Sequence, residues 1–166
     1  MNTDIQNIFP FSHQVLNASC RNSVTDESEA CKIYETAKKE EISNIQQVID
    51  TLCELSDKYN YLNAKTRLGY LYYTDVRIHN NNTAIEWTAE AADEGDAIAQ
   101  YNYAMCLKEG IGCKKNTATS FYWLYKSATQ GLHIAQYELG NYYKQGIGCS
   151  KDGALAQYWF TKAQKQ

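Results

Sequence analysis

The histidines and cysteines are the side chains of this chain best suited to bind a transition-metal ion such as zinc. His13, His79 and His133 lie far apart, and no His-x-x-x-His or Cys-x-x-Cys spacing occurs near any of them. A metal site built from local sequence needs such spacings, because its ligands must reach one ion. We therefore expect neither a metal ion nor another cofactor.

Two further kinds of chemistry are disfavoured in the middle of the chain. A cysteine nucleophile needs a base close in space, yet residues 96–131, which contain Cys106 and Cys113, include no histidine. The segment Gly110-Ile111-Gly112 lacks the Gly-Lys-Ser/Thr ending of a phosphate-binding loop and follows a predicted helix, so it is interpreted as a turn. We predict a protein that is not an enzyme, with a site assembled from distant residues as the distant alternative.

Disulfide bonds are not expected, although a short chain with six cysteines could form them. The N-terminus lacks the charge pattern of a secretion signal, and the spacing of the cysteines is irregular. No apolar run approaches the roughly 20 residues that span a bilayer. These features predict a cytoplasmic protein with free thiols.

The charge pattern favours a protein partner. The net charge is -3, and residues 26–57 hold nine acids against three lysines, a local net charge of -6. Nucleic-acid binding needs a basic stripe and is therefore disfavoured. The acids form either a solvated helix face or an acidic surface that attracts a basic partner.

An internal repeat supplies the elements that would position a site. Trp87, Trp123 and Trp159 are separated by 36 and again by 36 residues. The same offset relates two Gly-Ile-Gly-Cys segments, 110–113 and 146–149. A fixed period of this length predicts helical hairpins that stack, because a single hairpin cannot bury its apolar face alone.

Each repeat is predicted to contain two helices. Gly110 and Gly146 suit the left-handed C-terminal cap of the first helix. Seven residues before each tryptophan stands a residue that can cap the second helix; these residues are Asn80, Asn116 and Asp152. The predicted fold is all-α, a right-handed α-solenoid with an open concave side.

We expect one continuous domain with two parts. Residues 1–60 form an N-terminal helical cap, with a degenerate repeat as the alternative, and a capping box at Ser43 begins a helix that runs through about Lys58. Three clear repeats follow, at residues 61–95, 96–131 and 132–166.

The repeat pattern resembles that of a known family. It reads Ala-x-x-x-Leu-Gly-x-x-Tyr-x-x-Gly-x-Gly, then a lysine, a capping residue, Ala-x-x-Trp and a closing alanine, most fully from Ala135 to Ala163. This resembles the Sel-one-like repeat of the tetratricopeptide superfamily. The resemblance implies a non-catalytic adaptor or scaffold, and bacterial members act in signalling, host interaction and interbacterial competition.

The same analogy predicts where a partner binds, because the first helices of such arrays line the concave groove. Helical spacing selects nine outward residues: Thr66, Tyr70, Tyr73, Tyr101, Met105, Lys108, Tyr137, Asn141 and Lys144. Tyrosine is common among interface anchors. Tyr101 and Tyr137 also match a position that holds tyrosine for packing, so both roles stay open for them.

The most concrete function is that of a bacterial immunity or antitoxin-type protein. Such a protein would bind and neutralise a basic, nuclease-like toxin domain, and opposite charges would speed their association. A regulatory adaptor in signalling or host interaction is the alternative, and it would need two separable surfaces.

Overall fold

The computed structural model describes residues 30, 32–34, 36–37 and 44–165. The six described residues between 30 and 37 are helical, and the chain from residue 44 to 165 contains seven helices and no strand. The helices are α1 (Ile45–Tyr59), α2 (Leu62–Thr74), α3 (Asn81–Asp93), α4 (Ala97–Glu109), α5 (Thr117–Thr129), α6 (His133–Gln145) and α7 (Gly153–Gln164). Most of the predicted N-terminal cap lies outside the described residues.

The helices pack in the order of the chain. Helices α2 and α3, α4 and α5, and α6 and α7 form three hairpins, and α3 packs on α4 and α5 on α6 to join them. Helix α1 packs on α2 at the N-terminal end of the stack. The dominance of contacts between consecutive elements is the arrangement of a solenoid. The predicted all-α solenoid of helix-turn-helix repeats is confirmed.

The second helix of each hairpin begins at a side-chain cap. Asn80, Asn116 and Asp152 accept hydrogen bonds from backbone N–H groups in the first turns of α3, α5 and α7, as predicted. Asn44, 36 residues before Asn80, caps α1 in the same way. The prediction of a cap at Ser43 was wrong, because the amide oxygen of Asn44 satisfies the free N–H in the first turn of α1.

The buried positions of α1 recur in α3 at the same interval of 36 residues. Those of α1 are Val48, Ile49, Leu52, Leu55 and Ser56, and those of α3 are Ala84, Ile85, Thr88, Ala91 and Ala92. Helix α1 therefore has the register of a second helix. The second helices of the stack are α1, α3, α5 and α7.

The Gly-Ile-Gly turns hold successive hairpins close together. Gly110 and Gly146 are the left-handed C-caps of α4 and α6, with φ of 80° and 76°, which confirms their predicted role. The second glycines of the turns, Gly112 and Gly148, also have positive φ. A Cβ atom on Gly148 would overlap the carbonyl oxygen of Thr117, the first residue of α5 in the preceding hairpin. Only glycine permits this approach of backbone to backbone.

A buried hydrogen-bond chain joins three helices. The Ser120 hydroxyl donates to the carbonyl oxygen of Ala104 at 2.6 Å and lies 2.7 Å from the Tyr142 hydroxyl. Ser120 has one proton and uses it on the carbonyl, so Tyr142 must donate to Ser120. Helices α4, α5 and α6 are thereby linked through polar groups that are closed to solvent.

We predict that Gly148→Ala destabilises the protein by at least about 2 kcal/mol. Alanine would have to adopt an unfavourable left-handed backbone conformation, and its Cβ atom would overlap the carbonyl oxygen of Thr117. Denaturant unfolding followed by circular dichroism would measure this change. The matched control is Gly153→Ala, which has open space around its Cβ and lies in the first turn of α7. The control should be neutral or slightly stabilising. Equal stability of the two variants would contradict the role of the turn.

We predict that Tyr142→Phe destabilises the protein by about 1 kcal/mol, the net contribution of one buried hydrogen bond. The ring volume is kept and Ser120 retains its bond to Ala104, so the loss reports the Tyr142 hydroxyl alone. Tyr122→Phe is the control, because the Tyr122 side chain is 53% exposed. Equal midpoints of denaturant unfolding for both variants would rule out the buried hydrogen bond.

Candidate protein-binding surfaces

The nine predicted groove residues differ widely in exposure. Thr66, Tyr101 and Met105 are buried, with 4%, 2% and 5% of their surface exposed, so their predicted outward placement is wrong. The half-buried members of the set are Tyr70, Tyr73, Lys108 and Asn141, and the exposed members are Tyr137 and Lys144. The first helices therefore do not present the predicted set as one continuous surface.

Equivalent positions of two repeats show why the predicted groove residues differ in exposure. Tyr101 and Tyr137 stand 36 residues apart in the repeat, yet 2% of one and 54% of the other is exposed. A position that is covered within the stack and open in its last described hairpin faces the neighbouring hairpin, not a groove. The Tyr137 ring instead contacts Phe160 of its own hairpin, with ring centroids 5.4 Å apart.

Exposed acids recur on the second helices at the N-terminal end of the stack. Three positions in each of α1 and α3 hold carboxylates, at the spacing that places residues on one helix face. These six exposed residues, which we call the acidic surface, are Asp50, Glu54, Asp57, Glu86, Glu90 and Asp93. The three residues of α3 follow those of α1 by 36 residues.

Tyrosine and lysine replace these acids in α5 and α7. Tyr122 and Lys126 stand 36 residues after Glu86 and Glu90, and a tyrosine and a lysine recur after another 36. Of these four residues, Lys126 is half-buried and the other three are exposed, and two further exposed side chains lie on the same helices. The set, which we call the tyrosine–lysine surface, is Tyr122, Tyr125, Lys126, Leu155, Tyr158 and Lys162. The predicted contact residues all lie on first helices, so none of them belongs to this surface, although the recurrence of tyrosine and lysine after 36 residues is visible in the sequence.

The lysines of this surface lie over aromatic rings. The Lys126 ammonium is 5.2 Å from the centroid of Tyr122 and 4.8 Å from that of Trp123. The Lys162 ammonium is 5.6 Å from the centroid of Tyr158. Cation–π attraction at these distances restrains each ammonium group at the surface.

The tyrosine rings are supported by the repeat tryptophans. Tyr122 packs edge-on against Trp123 and Tyr158 against Trp159, with centroids 5.3 Å apart in both pairs. Tyr125 of α5 reaches Trp159 of α7 at 6.0 Å. This contact joins the aromatic groups of the two helices into one surface.

Charge is divided between the two ends of the stack. Residues 44–96 contain nine acids and four basic residues, a net charge of -5, whereas residues 97–165 contain eight lysines and three acids, a net charge of +5. The acidic surface lies in the first of these parts and the tyrosine–lysine surface in the second. The small net charge of the chain conceals two regions of opposite sign.

One member of the acidic surface is already paired. The buried Lys65 ammonium lies 2.7 Å from a Glu90 oxygen and also contacts Glu94. Burial acts to lower the pKa of Lys65, but its hydrogen bonds to these carboxylates outweigh burial and raise the pKa. Glu90 is therefore partly neutralised, and the other five acids supply most of the negative field.

The described cysteines are free thiols with little nucleophilic character. Burial, with a smaller effect from Cys113, raises the pKa of the Cys106 thiol to about 12. Burial also raises the pKa values of Cys53, Cys113 and Cys149. Because the thiolate is the reactive form, these environments oppose nucleophilic chemistry.

The residues that the structure describes contain neither a metal-ligand cluster nor a membrane-spanning helix. Within them, no group of three histidine, cysteine or acidic side chains is arranged to hold a metal ion. No helix in the same part of the chain is long and apolar enough to cross a bilayer. His13, Cys20 and Cys31, which entered the sequence analysis, lie outside the described residues.

A family model described as the Sel1 repeat matches three consecutive segments, residues 62–96, 97–132 and 133–166. The chain belongs to the Sel1 repeat family. The family resemblance deduced from the tryptophan and glycine periods is confirmed. Sel1 repeats generally mediate protein–protein interactions and are typically non-catalytic, so this Sel1 chain is a protein-binding module.

Several solved structures resemble this Sel1 chain, including the following two. The Sel1 repeat protein from Oxalobacter formigenes is 29% identical over 64% of this chain and 82% of its own, with a TM-score of 0.61. The antigen c5321, a protective antigen present in uropathogenic Escherichia coli strains that displays an SLR fold, is 25% identical with a TM-score of 0.77. That match covers 93% of this chain but 33% of c5321. No curated protein matches the chain.

We predict that Cys106 resists alkylation in the folded protein. A pKa of about 12 leaves about one thiolate in ten thousand at pH 8, and the side chain is buried. Iodoacetamide labelling followed by peptide mass spectrometry should show reaction of Cys106 only after unfolding in guanidinium. Cys53, which is half-buried, serves as the internal control. Equal labelling of both residues in the native protein would contradict the burial of Cys106.

Proposed function

We propose that this Sel1 chain is a non-catalytic module that holds a basic protein on its acidic surface. The observation that carries the proposal is the recurrence of three exposed carboxylates at equivalent positions of α1 and α3. Like charges that are kept together by a rigid fold create a field that attracts an oppositely charged partner. We therefore interpret these acids as a surface that attracts a basic partner and not only as a solvated helix face.

In its most concrete form, the protein is a bacterial immunity or antitoxin-type protein. Its partner would be a cognate toxin domain of the nuclease class, whose basic surface suits a polyanionic substrate. An acidic cover would both neutralise that surface and accelerate association. The bacterial origin of both solved relatives supports this setting. The proposed compartment is the cytoplasm, where the free thiols would stay reduced.

A regulatory adaptor is the second candidate function. An adaptor needs two separable surfaces, and the acidic and tyrosine–lysine surfaces lie on different helices and carry opposite charge. This arrangement supports simultaneous binding of two proteins. Six of the predicted groove residues retain exposed surface and stay proposed partner contacts: Tyr70, Tyr73, Lys108, Tyr137, Asn141 and Lys144.

The first test is an affinity purification of the tagged chain at low and at moderate salt, with quantitative mass spectrometry. We expect a basic protein in equal amount, released by salt. Its association rate with the triple variant Glu54→Gln, Glu86→Gln, Asp93→Asn should fall about tenfold at low salt, because three attractive charges are lost. The control variant Lys126→Gln, Lys162→Gln should keep the partner. A neutral or acidic partner, or one held equally by the triple variant, would overturn the proposal.

Growth distinguishes the two candidate functions. Expression of the recovered partner alone should stop bacterial growth, and co-expression of this Sel1 chain should restore it, if the function is immunity. The triple acidic variant should fail to protect. A partner that is harmless when expressed alone would exclude the immunity function and leave the adaptor.

A further inference from the structure

The tyrosine–lysine surface has no role in binding a basic partner, since its charge has the wrong sign. We propose that it is a second binding site, which takes an acidic segment of another protein. The segment would be extended, with two carboxylates separated by apolar residues. The carboxylates would meet Lys126 and Lys162, and the apolar side chains would pack on Tyr122, Tyr125 and Tyr158.

The lysines of this surface lack an acidic partner within the described chain. Neither Lys126 nor Lys162 takes part in an ion pair with an acid of the described residues, in contrast to Lys65, Arg77 and Lys108. Both ammonium groups are instead held over exposed tyrosine rings. Two ammonium groups that are held in place without a carboxylate partner can each bind an anionic group that the partner protein supplies.

Exposed apolar side chains are concentrated in the same place. Of the six large apolar side chains that are exposed in the described part of the chain, five lie between residues 122 and 158, and four of these belong to the tyrosine–lysine surface. A cluster of this kind marks an interaction site more often than scattered residues do. Tyrosines supported by tryptophans also lose little conformational entropy when a partner covers them.

The geometry sets the spacing of the carboxylates. Tyr125 of α5 contacts Trp159 of α7 with ring centroids 6.0 Å apart, so side chains of the two helices meet at the surface. Lys126 and Lys162 are equivalent residues of these helices, and a gap of about one helix diameter, about 10 Å, is covered by about three residues of an extended chain. The expected pattern is an acidic residue, two mostly apolar residues and a second acidic residue.

The same positions disfavour a nucleic acid as the occupant. A polyanion needs a continuous basic stripe. In α3, however, the positions equivalent to Tyr122 and Lys126 hold Glu86 and Glu90. A strand of phosphates that continued along the stack would meet this acidic surface. A short acidic segment can end before it, so the charges favour a peptide.

The test uses the full chain and a display library of random 12-residue peptides. We expect enrichment of peptides with two carboxylates separated by two residues, with apolar residues between them. Fluorescence anisotropy with an enriched peptide should show at least about tenfold weaker binding to Lys126→Glu, Lys162→Glu and to Tyr122→Ala, Tyr158→Ala. The control variant Glu54→Gln, Glu86→Gln should bind it normally. Circular dichroism melts would confirm that each variant is folded.

Several results would overturn the inference. These are no enrichment, enrichment of basic or neutral peptides, and peptides that bind the lysine variant as well as the parent. A dimer in sedimentation velocity that the lysine substitutions dissociate would identify a second copy as the occupant. Stronger binding of a 12-nucleotide single strand than of the peptide would identify a nucleic acid. The acidic-surface variants fail in the other experiment and not in this one, so the two proposals stand or fall separately.

Discussion

The spacing of the three hairpins is fixed where the second glycine of each Gly-Ile-Gly turn meets the backbone of the preceding hairpin. Gly112 and Gly148 approach the carbonyl groups of Asn81 and Thr117, the first residues of two second helices, with no room for a side chain. The contact is made by backbone atoms, so it gives the same distance in successive repeats. Equivalent residues of α3, α5 and α7 therefore line up at a constant interval, and the surfaces that these helices form depend on this alignment.

A second set of contacts closes the joints between hairpins. Gln100 and Gln136, both buried, donate to the carbonyl oxygens of Ala92 and Ala128 near the ends of the preceding second helices. Each glutamine adds a side-chain donor to a carbonyl oxygen that also accepts from a backbone N–H group, that of Gly95 or Gly131. Within the first hairpin, the contact is ionic instead, since Lys65 of α2 forms ion pairs with Glu90 and Glu94. The hairpins are thus joined to one another by neutral amides, and the two helices of the first hairpin are also joined by charge.

The regular stack allows the outward positions of the second helices to carry opposite charge at its two ends. Packing uses the inward faces of the second helices, where small residues such as Ala91 and Ser127 are buried. The outward faces lie at the surface. The acids of α1 and α3 can therefore be replaced by tyrosine and lysine in α5 and α7 while the buried positions stay the same. Partners of opposite charge can then occupy different ends of one rigid array. The net charge of -3 alone would suggest only a weakly acidic protein.

Local sequence determined the hairpins, their caps at Asn80, Asn116 and Asp152, the glycine turns and the family, because each depends on neighbouring residues that recur at a fixed period. The cap of α1 escaped recognition, since Ser43 and Asn44 are both good capping residues and only the backbone chooses between them. Tertiary structure alone decided which side chains a partner can reach. Tyr101 and Tyr137 occupy the same repeat position, but the next hairpin covers only Tyr101, and burial of that kind is set by a neighbour 36 residues away and not by the helix itself.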